Sequence, residues 1–170
     1  MIHITPYQAA RHQQGVIDTI LPIQTEEFGL PISIDAQPDL LDIPGFYQRG
    51  DGNFWVALTG DAGDAEVVGT IALLDIGNGL AALRKMFVRP AHRGRPSGQV
   101  GVAQRLLDTL HGWARERALR GIVLGTTDRF IAAHRFYEKN GYRRIEPAEL
   151  PASFPRMAVD SRFYMLALPG

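Results

Sequence analysis

Cysteine is absent from the chain, and so is any excess of charge of one sign. Without cysteine the protein has no disulfides, no thiolate metal ligands and no cysteine nucleophile. Its 18 lysine and arginine residues balance 18 aspartate and glutamate residues. Because nucleic acids and anionic membranes are attracted by a strong positive field, we expect neither of them as a partner.

Long apolar stretches are also missing. The longest apolar run covers residues 67–74, contains Gly69 and Thr70, and is far shorter than the roughly 20 residues that a membrane span needs. The N-terminus lacks the basic start and the continuous apolar stretch of a secretory signal. These absences predict a soluble protein located in the cytoplasm.

The residues that are present are typical of one globular domain. The chain has 170 residues, of which 45% are hydrophobic and 21% are charged, close to the average for soluble domains. A chain of this length buries enough surface to fold around one core. We therefore expect a single domain over residues 1–170.

Helix and strand patterns alternate in the N-terminal half. After a short strand, a helix is predicted over residues 7–24, with Thr5-Pro6 as its start. A second short helical stretch begins at Asp39. Glycine-containing turns then separate three strand patterns, which predicts an antiparallel meander. The three patterns cover residues 54–58, 66–74 and 80–88.

The clearest amphipathic helix follows the meander. Gly121 is predicted to end this helix, and the apolar run 122–124 to form a buried parallel strand. A further helix, capped by Asp128, is predicted through Lys139, and a final strand over residues 161–168. The order of elements indicates an α/β fold with a mixed sheet flanked by helices. The apolar stripe of the amphipathic helix consists of Val102, Leu106, Leu110 and Trp113.

The segment that leads into the amphipathic helix suits a phosphate group. A strand passes through the turn at residues 89–94 and a glycine-containing stretch into a helix N-terminus. This arrangement exposes unpaired backbone N–H groups and the positive end of a helix dipole, which suits a pyrophosphate. Neither common nucleotide motif fits, because Gly-Lys-Ser/Thr is missing and residues 98–103 are G-x-x-G-x-A rather than G-x-G-x-x-G.

The same segment resembles a motif of the GNAT N-acetyltransferase superfamily. Residues 86–90, 93–94 and 101–103 are similar to motif A, whose usual form is Arg/Gln-x-x-Gly-x-Gly/Ala. Residues 133–142, AHRFYEKNGY, resemble motif B, a helix carrying Phe/Leu-Tyr-x-Lys-x-Gly-Phe/Tyr. The two motifs occur in the family's order and spacing, and the resemblance covers roughly residues 80–146.

The resemblance implies the GNAT acyl-CoA N-acyltransferase fold, a mostly antiparallel sheet with a central pair of parallel strands, flanked by helices. These two strands, ending near Val88 and Thr126, are then expected to splay apart and to receive the pantetheine arm of acetyl-CoA or CoA. Strand hydrogen-bonding groups left unpaired in the gap are free to bind the amides of this cosubstrate.

Individual roles follow from the same resemblance. The backbone of Met86, Phe87 and Val88 is implied to contact pantetheine, and a backbone N–H there to stabilise the oxyanion formed when an amine attacks the thioester. Tyr137 occupies the position of the acid that protonates the departing thiolate. The other implied cofactor-binding residues are Arg93, Gly98, Gln99, Val100, Gly101, Val102 and Ala103 at the pyrophosphate, and Phe136 and Lys139 of motif B.

Two departures from the family pattern concern the cofactor site. The stretch between Arg93 and Gly101 is longer than usual, and Gln99 stands in place of the first motif glycine. Phe130 stands where many relatives carry asparagine, so one polar contact to CoA is expected to be replaced or lost.

No motif identifies the base that takes a proton from the amine. Glu26, Glu27 and Asp75 are candidates, because the first helix and the central strands border the family's acceptor site, and a water relay is an equal alternative. Acidic pairs such as Glu26-Glu27 are more often solvated surface. His134 is a further candidate, although a helical histidine is more often a surface or half-buried residue. For Tyr137 the alternative role is packing of its helix on the sheet.

These patterns predict an N-acetyltransferase that moves an acetyl group from acetyl-CoA directly to a small-molecule or peptide amine. We expect no metal, because the histidines lack ligand spacing, and no covalent acyl-enzyme. Two alternatives stay open: a non-catalytic CoA-binding regulatory or interaction module, and a binding domain for another phosphorylated ligand. The least patterned segments, residues 24–47 and 146–163, are expected to hold the acceptor and favour one with an apolar portion. A homodimer through the sheet edge also stays open.

Overall fold

The computed structural model describes residues 1–61, 63–94 and 99–169. Its strands are β1 (Ile2–Pro6), β2 (Asn53–Thr59), β3 (Glu66–Gly77), β4 (Leu80–Val88), β5 (Gly121–Thr126), β6 (Arg143–Ile145) and β7 (Arg162–Ala167). Its α-helices are α1 (Ala9–Pro22), α2 (Pro38–Leu41), α3 (Ile43–Phe46), α4 (Val102–Glu116) and α5 (Ile131–Lys139). A π-helical turn, Ile23–Glu27, continues α1, and 3-10 turns cover Pro90–His92 and Pro147–Glu149.

The described strands form one mixed sheet in the order β1-β2-β3-β4-β5-β7-β6. Neighbouring strands are antiparallel except β4 and β5, which run parallel. A parallel pair needs a crossover connection, and α4 lies in the one between β4 and β5. The predicted architecture, a mixed sheet with a central parallel pair flanked by helices, is confirmed.

The three strands of the predicted meander are present as β2, β3 and β4. β4 has the predicted boundaries, and β3 continues to the turn at Gly77, Asn78 and Gly79. All three turn residues have positive φ, of 84°, 57° and 75°. Glycine and asparagine tolerate this conformation, which explains why the sequence marks the turn so clearly.

Helices pack on both faces of the sheet. On one face, the apolar stripe of α4 lies against the strands, and Leu106 and Leu110 are completely buried. On the other face, Val16 and Ile20 of α1 pack with Tyr47 beside α3. Truncating a core leucine to alanine generally costs about 2–5 kcal/mol of stability, so these two clusters hold the helices firmly on the sheet.

The boundaries of α1 differ from the prediction. Pro6 belongs to β1, where it pairs opposite Trp55, and the helix begins only at Ala9. At its other end Pro22 lacks the N–H that an α-helix needs at that position, and the chain continues as the π-helical turn. Such turns are often found at functional sites.

Two other predicted helix boundaries are wrong. α4 ends at Glu116, and Ala118 takes the left-handed conformation with φ 54°, whereas Gly121 begins β5. Asp128 does not cap α5, because the helix starts three residues later with Phe130 as its N-cap and no side-chain hydrogen bond there. The sequence pattern located both helices correctly but misplaced the residues that end and begin them.

Among the helices of the described residues, none combines the length and the apolar character needed to cross a bilayer. The cytoplasmic location, the single domain over residues 1–170 and the homodimer are not tested by this architecture. All three stay predictions.

Candidate functional site

β4 and β5 pair over only three residues and then separate. Residues 80–82 lie opposite residues 121–123, and no further pairing between the two strands occurs within the described structure. Nevertheless β4 runs on to Val88 and β5 to Thr126. Their facing edges therefore carry backbone N–H and C=O groups that the pairing of these strands does not use. The predicted splay is confirmed.

A β-bulge lies in β4 where this gap opens. Two residues of β4, Lys85 and Met86, stand opposite the single residue Ile71 of β3. Lys85 has a φ of 54°, and its carbonyl accepts a hydrogen bond of 2.7 Å from the Thr70 hydroxyl. A bulge breaks the alternation of side chains. As a result Arg84 and Lys85, neighbours in sequence, both extend toward the segment that contains α2 and α3.

The gap opens into a cleft with a volume of about 280 Å³. Its walls come from the ends of β4 and β5, one face of α5, the loop after the π-helical turn and the loop before β7. Met86 and Tyr137 meet in this cleft, where the Tyr137 hydroxyl donates to the Met86 sulfur at 3.6 Å. The Tyr137 hydroxyl thus lies next to the bulge. Its present acceptor, the Met86 sulfur, is a weak one, so a ligand atom that accepts more strongly can replace it.

Tyr137 is both packed and directed into the cleft. Its ring centroid lies 5.7 Å from that of Tyr142 and 6.1 Å from that of Tyr164, and the residue is 6% exposed. Burial raises the pKa of the Tyr137 phenol above its ordinary value. The hydroxyl therefore keeps its proton at neutral pH and is available as a donor.

A buried polar cluster lies behind the bulge. The Lys85 ammonium donates to the Gln37 side-chain oxygen at 2.6 Å and stands 3.7 Å from the Asp39 carboxylate. The Tyr47 hydroxyl donates to the same carboxylate at 2.6 Å, and Gln24 and Gln37 exchange amide hydrogen bonds. Burial lowers the pKa of Lys85, while the charge of Asp39 opposes that shift. The cluster ties β4 to the helical segment before β2.

A second pocket, of about 460 Å³, lies at the N-terminus of α4. Gly101 is the N-cap and has no side chain to accept a hydrogen bond, so the first N–H groups of the helix are free of a side-chain cap. The positive end of the helix dipole and the Lys139 ammonium both favour an anion there. Val88 and Phe136 line this pocket, and their neighbours Phe87 and Tyr137 line the cleft, so the two spaces adjoin.

Most of the predicted cofactor residues border one of these spaces. Met86 and Phe87 line the cleft. Gln99 and Val102 instead border a separate depression near the N-terminus, and Gly98 lies outside the described residues. The predicted residues that line the second pocket are Val88, Arg93, Val100, Gly101, Ala103, Phe136 and Lys139.

Arg93 is engaged with the π-helical turn. Its guanidinium donates two hydrogen bonds to the Glu27 carboxylate, at 2.6 and 2.7 Å, and one to the Val88 carbonyl at 2.9 Å. These bonds with Arg93 hold the pKa of Glu27 below its ordinary range. Glu27 is therefore ion-paired at the rim, and its neighbour Glu26 is exposed. Neither lines the cleft.

Two further candidate bases, Asp75 and His134, also lie outside the cleft. Asp75 pairs opposite Ala81 at the far end of β4, where it accepts backbone N–H groups of the local turns. Asp75 does not line the cleft. His134 does not line the cleft. Both of its ring nitrogens are engaged elsewhere, one 2.9 Å from the Thr127 carbonyl and the other 3.1 Å from the Arg162 guanidinium.

Sequence patterns missed three charged residues of the cleft, Arg84, Lys85 and Asp160. Two consecutive cations inside an otherwise apolar strand were a usable signal for Arg84 and Lys85. Asp160 lies in a loop without a pattern and gave none. Phe130, which stands in place of the family's asparagine, lines the cleft and packs on Phe28 with 4.3 Å between ring centroids. Its contribution is apolar, as the sequence suggested.

Comparisons with known proteins agree with this geometry. A family model described as an acetyltransferase (GNAT) domain matches residues 50–144. A GNAT-family acetyltransferase from Staphylococcus aureus Mu50 superposes with a TM-score of 0.91 at 38% identity, covering 99% of this chain and 100% of that one. An acetyltransferase from Streptococcus agalactiae gives a TM-score of 0.89 at 33% identity, covering 98% of each chain.

Curated relatives match over shorter stretches. N-acetylaspartate synthetase from Danio rerio is 33% identical over 113 residues, which is 65% of this chain and 37% of that protein. Streptothricin acetyltransferase from Escherichia coli is 37% identical over 79 residues, 46% of this chain and 42% of that protein. The chain thus spans less than half the length of these relatives. Since the family model spans more than half of the chain and the Staphylococcus aureus protein matches along its whole length, the chain belongs to the GNAT acetyltransferase family.

Proposed function

We propose that this protein transfers an acetyl group from acetyl-CoA directly to the nitrogen of an amine. The observation that carries the proposal is the gap between β4 and β5, which opens beyond residues 82 and 123 and has the Tyr137 hydroxyl within it. Membership of the GNAT family supports the class of reaction. The name of the relative N-acetylaspartate synthetase supports nitrogen as the acceptor atom.

The residues present fit acetyl-CoA. Backbone groups of β4 beyond its pairing with β5, at Met86, Phe87 and Val88, suit the amides of a pantetheine arm, and of these groups the Val88 carbonyl already accepts from Arg93. The adjoining pocket at the N-terminus of α4 suits a pyrophosphate, because a helix dipole and the Lys139 ammonium act there together. We propose that N–H groups of residues 99–103 hold this pyrophosphate.

Bound acetyl-CoA supplies a thioester, whose carbonyl carbon bonds to the amine nitrogen while the carbon–sulfur bond breaks. Tyr137 is proposed to give its hydroxyl proton to the departing sulfur, since it faces the cleft and stays protonated at neutral pH. A backbone N–H at the bulge is proposed to stabilise negative charge on the carbonyl oxygen. An acceptor that enters as an ammonium first releases one proton to water, and the resulting amine loses a second proton as the carbon–nitrogen bond forms. This second proton replaces the one that Tyr137 gives to the sulfur, so the products are the amide and the thiol of CoA.

Direct transfer is consistent with the composition of the chain. The protein has no cysteine to form an acyl-enzyme. A direct reaction requires both substrates to be bound at once, and the catalytic advantage then comes largely from their proximity and orientation. The cleft borders the ends of β4 and β5 on one side and residues of the irregular segments 24–32 and 154–160 on the other, so we propose that the thioester and the amine meet there.

The first test is calorimetric titration of acetyl-CoA, CoA and ATP into the purified protein, followed by assays with a broad panel of amines. We expect binding of acetyl-CoA and CoA but not of ATP, and release of CoA that depends on an amine. Because the chain has no cysteine, a thiol reagent detects only the CoA that is released.

Two outcomes would contradict the proposal. Failure to bind either CoA species would remove the cofactor assignment. Binding of CoA without turnover of any amine in the panel would favour the other function that this fold can support, a non-catalytic CoA-binding module.

A further inference from the structure

Two charged side chains of the cleft, Arg84 and Asp160, have no role in the chemistry proposed above. Lys85, the third charged residue of the lining, is already paired with the buried Asp39. The remaining lining residues are uncharged. The cleft therefore presents one cation and one carboxylate that face the same space.

Arg84 is held in position by aromatic rings and a sulfur atom. Its guanidinium carbon lies 5.7 Å from the centroid of the Phe46 ring and 5.8 Å from that of Tyr47, and one of its nitrogens lies 3.5 Å from the Met157 sulfur. No ion pair among the described residues includes Arg84. A guanidinium stacked on aromatic rings keeps its planar fork of N–H donors, which matches a carboxylate with two parallel hydrogen bonds.

Asp160 is held at the opposite strand. Its carboxylate accepts the backbone N–H of Met157 at 2.8 Å and lies directly over Gly125 of β5. A Cβ on Gly125 would stand 2.6 Å from a carboxylate oxygen, so only a glycine leaves room for Asp160 in this position. Burial raises the pKa of Asp160, against the opposing effects of the Met157 N–H and of the charges of Arg84 and Arg156.

Met157 separates the two charges. Arg84 touches its sulfur, Asp160 accepts its N–H, and the two do not form an ion pair with each other. Among the described residues neither Arg84 nor Asp160 forms an ion pair, so each of these half-buried charges loses hydration without a directly opposed charge. A ligand that carries both opposite charges would offset both losses, whereas a simple amine would offset only one.

We propose that the acceptor is a free amino acid with an apolar side chain, bound through its carboxylate to Arg84 and through its ammonium to Asp160. This proposal rests on the acetyl transfer proposed above and names its substrate class. An α-amino acid carries its ammonium and its carboxylate on the same carbon atom, so one small molecule presents both to the same face of the cleft. The apolar wall at Phe154, Met157 and Val159 suits the side chain.

The test uses matched sets of acceptors with the full chain and acetyl-CoA. Phenylalanine, leucine and methionine are each compared with the amide that lacks the carboxylate charge and with the amine that lacks the carboxyl group. Release of CoA is followed with a thiol reagent. We expect kcat/KM for at least one free amino acid to exceed that of its amide by about tenfold or more, since a charge-assisted bidentate pair is lost in the amide.

Variants of Arg84 and Asp160 test whether these two side chains bind the acceptor. Arg84→Met is expected to raise KM for the free amino acid while leaving the amide almost unchanged, so that the preference disappears, and Arg84→Lys to restore part of it. Asp160→Asn is expected to lower kcat/KM for all three members of a set, because each of them carries the ammonium. Arg144→Met is the matched control, since Arg144 is an exposed cation of β6 that does not line the cleft. Titration of acetyl-CoA into each variant checks that the cofactor site is intact.

The outcomes separate this proposal from the one on which it rests. Turnover of amides or simple amines as fast as of free amino acids overturns the amino-acid proposal and leaves acetyl transfer standing. An unchanged preference in Arg84→Met overturns it as well. If no compound of a broad amine panel is acetylated although acetyl-CoA binds, acetyl transfer itself fails, and the acceptor proposal fails with it.

Discussion

The two walls of the cleft differ in the groups that they offer to a ligand. One wall, here called the backbone wall, is formed by the ends of β4 and β5 and offers the backbone groups that the gap leaves unpaired, beside side chains such as Arg84 and Met86. The opposite wall, here called the side-chain wall, is formed by residues of the segments 24–32 and 154–160, which are turns and loops, and offers side chains. Backbone groups are the same whatever the side chains are. The first wall can therefore serve one cosubstrate across a large family, while the second can differ from one protein to the next.

The largest effect is expected at Tyr137, a side chain of α5 that lies in the cleft beside Met86 of the backbone wall. Tyr137→Phe keeps the ring packing and removes the proton donor, so kcat should fall about 10²–10³-fold with little change in the Kd of acetyl-CoA. Steady-state kinetics and calorimetry measure the two quantities.

Tyr142→Phe is the matched control for this prediction. Its hydroxyl lies 2.8 Å from a ring nitrogen of His111 and does not line the cleft, so kcat should be almost unchanged. An undiminished kcat in Tyr137→Phe would show that water, or another group, protonates the sulfur.

The buried cluster behind the bulge supports the backbone wall, since Lys85 of β4 belongs to the cluster and also lines the cleft. Asp39→Asn leaves the Lys85 ammonium buried without its carboxylate, while the new amide oxygen can still accept from Tyr47. We expect a loss of about 3 kcal/mol in the free energy of unfolding, measured by urea denaturation at neutral pH. The double variant with Lys85→Met removes the unpaired charge and should recover part of the loss. If Asp39→Asn unfolds like the wild type, the ammonium is better hydrated than its burial indicates.

A smaller effect is expected for the cation of the second pocket. Lys139→Ala should raise the Kd of acetyl-CoA by up to about tenfold, with the difference shrinking at high salt, because the ammonium acts on the pyrophosphate through its charge. Arg135→Ala changes an exposed cation on the same helix that does not line the pocket. Equal losses in both variants would mean that the field of the whole helix, and no local contact, is responsible.

The smallest effect concerns the ion pair between Arg93 and Glu27 at the rim. Because Arg93 lowers the pKa of Glu27, the pair adds stability above the pKa of Glu27 in the unfolded chain, and this stability is lost as the pH falls through the lower folded-state pKa. Both side chains are about one-third exposed, so the contribution at pH 7 should stay below about 1 kcal/mol. In urea denaturation at a series of pH values, Glu27→Gln and the wild type should differ at pH 7 and converge in acid. If the free energies of unfolding of Glu27→Gln and the wild type still differ in acid, the effect comes from the packing of the side chain at position 27 and not from its charge.

Sequence patterns predicted the backbone wall well and the side-chain wall poorly. The ends of β4 and β5 at Val88 and Thr126, and the amphipathic α4, follow from local apolar periodicity. The cap of α5 and the end of α4 were misplaced, because Phe130 and Ala118 take those positions against their usual preferences. Asp160 could not be found, since its place in the cleft depends on contacts with Gly125 on a separate strand.

Short motifs and periodicities within single elements were enough to predict the family, the order of elements and the position of the two strands that separate, β4 and β5. Which side chains meet in the cleft depends on contacts between distant parts of the chain. A bulge in β4 directs Arg84 and Lys85 toward helices encoded some 40 residues earlier, and the loop before β7 brings Asp160 over β5. Such contacts join positions that are far apart in the chain, and no local pattern records them.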